Sequence, residues 1–142
     1  MDRSEPEKDH GPAISLRQGA TNRAEVHGQW LIGWEVLNHA AEPITIVAVR
    51  LPHGQFKSAE QHFMPALQLS SGKGARFQTS VRCDEPPGLV TENAFVIFTV
   101  DRLAVAWRIF VRIRVVVSLE GVPETTTELI TTQKVGFSGV FD

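Results

Sequence analysis

Between Val105 and Leu119 every odd-numbered residue is apolar: Val105, Trp107, Ile109, Val111, Ile113, Val115, Val117 and Leu119. The even positions carry Arg108, Phe110, Arg112, Arg114, Val116 and Ser118. Side chains of an extended chain alternate between its two sides, so this stretch predicts a β-strand with one aliphatic face and one face bearing three guanidinium groups. The aliphatic face must be core. Burying it is worth about as much as the entropy of fixing the backbone costs, so the strand holds only within a sheet packed on a second layer. At ~3.3 Å per residue it would reach about 50 Å, beyond the usual strand length. Its unbroken parity excludes a one-residue bulge. The expectation is a strand that bends, or one whose end projects and offers an edge to a partner.

The rest of the chain is written in the same idiom. Trp30, Ile32, Trp34 and Val36 share the even face of one strand, which stops in the turn cluster Asn38-His39-Ala40-Ala41-Glu42-Pro43. Ile44 to Leu51 is β-branched on both faces, which suits a strand covered on two sides, and Phe95 to Val100 is apolar on both faces. Residues 52–66 keep no period and read as a long connection, followed by a brief edge strand at 67–69. Ala75, Phe77, Thr79, Val81 and Cys83 point one way while Arg76, Gln78, Ser80 and Arg82 point the other. A Thr-rich last strand occupies residues 128–137. No window places apolar groups at helical spacing. Together these segments predict an all-β domain: an immunoglobulin-like antiparallel β-sandwich of about seven strands, or failing that a small barrel. Residues 1–24 are polar and lack either hydrophobic period, so they read as a flexible N-terminal tail preceding the domain at 25–142.

Composition narrows the setting. The 142 residues hold 14 Lys and Arg against 16 Asp and Glu, and the net charge of −2 supplies no general attraction to nucleic acid or to an anionic membrane. Cys83 is the only cysteine, so neither an intrachain disulfide nor a Cys-rich zinc site is available. The first residues are acidic where a secretory signal would be basic, and no apolar run reaches the length of a membrane-spanning helix. A cytoplasmic protein without membrane insertion is expected.

Trp34-Glu35-Val36-Leu37-Asn38, a turn with Glu42-Pro43, a second strand, and then Leu69-Ser70-Ser71-Gly72-Lys73-Gly74-Ala75-Arg76-Phe77 resemble the layout of bacterial immunoglobulin-like accessory domains of the FxLYD type. In those domains a strand ending in Asn precedes a paired strand, and a Gly turn opens the next. The resemblance covers residues 30–83. It implies a sandwich and a non-catalytic role, and it carries over no functional residue.

Candidate chemistry is sparse. Arg76, Arg82, Arg108, Arg112 and Arg114 lie on the polar faces of two strands that could share a sheet. Guanidinium forks suit carboxylates and phosphates. One reading is a solvated face paired with Glu35, Glu92, Glu120 or Glu128. The other is a partner-binding surface, favoured by Phe110 between Arg108 and Arg112. His39, His53 and His62 flank turns, with Glu60 near the last, but lack a metal-ligand spacing. Gly72-Lys73-Gly74 lacks the frame of a phosphate loop and reads as a turn. Trp30 and Trp34, about 13 Å apart on one face, read as core rather than as a sugar platform. Cys83 lies on the apolar parity of its strand, where thiols are packing groups, and no pair of residues forms a general acid and base.

The expected function is a non-enzymatic interaction or assembly module. It would need no cofactor or metal and would meet a protein partner or a second copy of itself through the Arg-bearing face or a strand edge. The alternative is a binding domain for a small anionic or carbohydrate ligand.

Overall fold

In the computed structural model, which describes residues 11–136, the alternating stretch forms a strand from Val105 to Val117. Its odd positions from Trp107 to Val117 are each at most 3% exposed. In chain order the strands are β1 (Ile14–Arg23), β2 (Gln29–Asn38), β3 (Ile44–His53), β4 (Phe56–Leu69), β5 (Gly74–Arg82), β6 (Val90–Arg102), β7 (Val105–Val117) and β8 (Pro123–Lys134). No helix occurs among the described residues. The all-β expectation therefore holds, with eight strands in place of about seven.

All neighbours are antiparallel, and one hydrogen-bonded order, β1-β2-β5-β4-β3-β6-β7-β8, contains every strand. The sheet curls until its ends almost meet. Across the gap between β1 and β8 the Gln18 carboxamide does the work of a peptide group. Its Nε2 donates to the Pro123 carbonyl at 3.1 Å, and its Oε1 accepts from the Thr125 N–H at 2.7 Å. The Thr127 hydroxyl donates to the Leu16 carbonyl at 3.3 Å beside it. The opposite seam is nearly unzipped, since β4 pairs with β5 only where Lys57 faces Arg82.

β7 has no projecting end. Its flanks are both occupied, by β6 along 90–102 and by β8 along 123–134. The irregularities lie in its neighbours. β6 bulges between Thr91 and Ala94, where Asn93 takes φ 59°, a left-handed conformation that Asn tolerates better than most residues. β8 slips by one residue opposite Arg112 and Ile113. The register shifts thus fall in β6 and β8 while β7 keeps its parity.

Two other expectations are corrected. Residues 52–66 are not a connection: most belong to β4, whose period is destroyed where Phe63, Met64, Pro65 and Ala66 stand opposite Val47 alone. The region expected to be a tail through residue 24 contains β1, which pairs with β2 from Ile14 to Arg23. Only Ile14 and Leu16 of β1 face the core, and a register shift between Gln18 and Thr21 ends the alternation there, so no period is visible. Residues 1–10 lie outside the described part.

Rings from opposite sides of the sheet meet in the interior. Phe77 of β5 stands edge-on to Phe98 of β6 at 5.9 Å, and Trp34 of β2 to Phe56 of β4 at 6.4 Å, geometries that aromatic quadrupoles favour. Trp30 and Trp34 are core. Their indole N–H groups donate to the Cys83 carbonyl and the Thr79 hydroxyl, each at 2.8 Å. Asn38, fully buried at the end of β2, gathers three hydrogen bonds through its side chain.

Candidate functional site

The register assigns the even positions of β7 to the outer surface, and residues directly opposite one another share a face. One outer row runs Arg50, Ile97, Phe110, Thr131 across β3, β6, β7 and β8. The next rows carry Ala48, Thr99, Arg108 and Gln133 on one side, and Phe95, Arg112 and Leu129 on the other. This surface is richer in apolar groups than solvation requires. Phe95 and Phe110 are half-buried and meet edge-on at 6.4 Å, Leu129 is 48% exposed, and Ile97 is only 6% exposed although it faces outward. Ala48 and Ile97 are buried yet stand apart from the main core cluster, so their cover comes from neighbours on the outer face.

Of the arginines singled out from the sequence, Arg108, Arg112 and Arg114 lie together on this face beside Phe110. Arg76 and Arg82 do not join them. They belong to β5, and three strands separate β5 from β7 in either direction around the nearly closed sheet, so the two groups point away from each other. The expectation that all six residues share one face is thereby corrected: Arg108, Phe110, Arg112 and Arg114 do, and Arg76 and Arg82 do not. The alternation in each strand is legible in the sequence, but strand order is not.

Several arginines meet the acids anticipated for a solvated face. Arg112 lies 3.9 Å from Glu128, and Arg114 lies 3.3 Å from Glu92. On the far side Glu35 is bracketed across three strands by Arg17 and Arg76, the latter at 3.7 Å. Exposed pairs of this kind each contribute ~0.2–1 kcal/mol. They orient side chains more than they stabilise the fold.

Arg50, Phe95, Ile97 and Leu129 were not singled out from the sequence. The signal that carried Phe95 and Ile97 was the apolarity of Phe95–Val100 on both faces. A strand in a sheet with one interior needs apolar residues on only one face, so the surplus marks the outer patch.

The remaining candidates resolve into structural roles. His39 Nε2 lies 2.8 Å from the Ser15 hydroxyl, His53 Nδ1 accepts from the Gln55 N–H at 3.0 Å, and His62 stands 3.7 Å from Glu60. The three histidines do not converge. Among the described residues no three His, Cys, Asp or Glu side chains are grouped to hold a metal ion. Gly72 adopts φ 76° in the turn between β4 and β5, which accounts for glycine there. A Cβ on Gly74 would stand 2.7 Å from the Val36 carbonyl oxygen, so the β2–β5 contact requires its absence.

Cys83 is buried, and its thiol is pushed up to about 11, first by burial and then by the nearby carboxylates of Glu85 and Asp84. At pH 8 the folded protein is expected to leave a disulfide reagent unreacted, with one thiol titrating promptly once guanidinium unfolds the chain. The native state keeps this proton where the unfolded chain releases it, so this group makes stability fall as pH rises from 9 toward 11. Prompt labelling of the native protein at pH 8 would contradict the burial.

No protein-family model matches the chain, and no curated protein matches it.

Proposed function

We propose that this chain is a non-enzymatic interaction or assembly module, an immunoglobulin-like β-sandwich of the accessory-domain kind resembled by residues 30–83. Its docking surface is the outer face of β6 and β7, centred on Phe110 and flanked by Arg108, Arg112 and Arg114. Self-association is the simplest form of the reading, and a cytoplasmic setting goes with the single buried thiol. Strand order supports the sandwich: β1-β2-β5 on one side and β4-β3-β6-β7-β8 on the other are joined by a single residue pair at one seam and by side chains at the other. The crossing of Phe77 to Phe98 between those two groups of strands supports it as well.

The observation that carries the function is the outer apolar strip. Phe95, Ile97, Phe110 and Leu129 form a patch rimmed by arginines, the composition that distinguishes a docking surface from ordinary solvated sheet. Light scattering across a concentration series tests it. The wild-type chain is expected to exceed its monomer mass, and Phe110→Glu to weaken association at least about tenfold, as truncation of a central aromatic does at other interfaces. Far-ultraviolet circular dichroism of the variant checks that the fold is kept. A wild-type chain that stays monomeric at every concentration, and that co-purifies untagged with no partner, contradicts the proposal.

A further inference from the structure

The seam between β4 and β5 holds an arrangement that stability alone disfavours. Lys57 and Arg82 are direct cross-strand partners at the one position where these strands pair, and both are exposed. Like charges directly opposite repel. Arg50 extends the cluster: it is exposed on the same face as Pro52, two residues along β3, and Pro52 is the cross-strand partner of Lys57. That makes Arg50 a diagonal neighbour of Lys57, at a separation long side chains can span. None of these three cations has an ion pair among the described residues, whereas Arg17, Arg76, Arg112 and Arg114 each have a carboxylate. Beside Lys57 and Arg82 the strands part into an open crevice of ≈ 600 Å³, which Gln29 and Ser80 also line. Its one lining carboxylate, Glu60, is turned to His62 at 3.7 Å.

We propose that Arg50, Lys57 and Arg82 form a binding site for a tetrahedral oxyanion, a phosphate or sulfate group. Two guanidinium forks and an ammonium offer donors to several oxygens of one group. The bound charge would remove the Lys57–Arg82 repulsion. This site borders the Phe110 surface, because Arg50 is the cross-strand partner of Ile97, but it does not depend on that surface, and Lys57 and Arg82 lie outside it.

Thermal melting in sodium phosphate against sodium chloride of equal ionic strength is the test. The wild-type midpoint is expected to rise saturably with phosphate, because a ligand that binds only the folded state stabilises it. In Lys57→Glu the midpoint in chloride is expected to exceed the wild-type value, since the new carboxylate pairs with Arg82, and the phosphate response is expected to vanish. Arg82→Gln is expected to weaken apparent phosphate affinity at least tenfold without loss of cooperative melting. Phenyl phosphate distinguishes the source. A response equal to that of inorganic phosphate assigns the site to a group carried on a larger molecule, and a response to inorganic phosphate alone assigns it to the free ion. The proposal is overturned if phosphate acts no differently from chloride, or if both variants keep the wild-type phosphate response.

Discussion

Ile109→Asp is expected to abolish cooperative unfolding altogether, while Arg108→Asp, one residue away, leaves the protein folded with a midpoint within a few degrees of wild type. Ile109 is fully buried in the interior of a strand flanked on both sides, with its side chain in the main core cluster. Every main-core neighbour is apolar or already hydrogen-bonded, so an introduced carboxylate would find neither water nor a cation. The penalty, several kcal/mol even for the protonated acid, compares with a total stability of roughly 5–15 kcal/mol for a domain. Arg108 faces outward on the same strand, opposite Thr99 and Gln133, where substitution leaves the packing of the interior untouched. Circular dichroism melts of the two variants read out the contrast. If both melted alike, the two faces of β7 would not be in different surroundings, and the fold described here would not be that of the protein in solution.

Asn38→Ala is expected to lower stability by about 3 kcal/mol, from the loss of three hydrogen bonds and the stranding of their partners. At about 3 °C per kcal/mol for a chain of this size, the midpoint should fall by about 10 °C. Asn38 Nδ2 donates to the Leu69 carbonyl at 3.1 Å and to the Glu42 carbonyl at 3.0 Å, while Oδ1 accepts from the Ala40 N–H at 2.9 Å. Its backbone binds the β4–β5 turn too, donating to the Lys73 carbonyl and accepting from the Gly72 N–H, each at 2.9 Å. One side chain therefore ties the end of β2, the β2–β3 turn and the end of β4 together. Asn38→Asp should be no better than Ala at neutral pH, because a carboxylate keeps the acceptor and loses both donors. Denaturant melts measure both, and a loss below 1 kcal/mol for Ala would mean that these bonds are exchanged for water at little cost.

The same residue shows how far the chain could be read unaided. Asn38 stands out as the end of a strand, but nothing local reveals that Leu69, distant in sequence, supplies one of its acceptors. β7 and β2 were legible because their side chains keep a period of two over many residues, a pattern only an extended chain facing two environments can use. β1 and β4 were not. In β4 the four residues opposite Val47, and in β1 the shift after Gln18, break the alternation within a few residues, and what holds those strands is pairing to distant segments.

The candidate surface divides in the same way. That Arg108, Phe110, Arg112 and Arg114 share one face follows from parity along a single strand, and the sequence alone determined it. That Arg76 and Arg82 face the other way, that Phe95, Ile97 and Leu129 complete an apolar strip around Phe110, and that Lys57 meets Arg82 across a seam were decided by strand order and register. Alternation is enforced by geometry between neighbouring residues and is printed in the chain. Strand order is settled by competition among whole strands for the same hydrogen bonds and the same interior, and no local stretch of residues contains it.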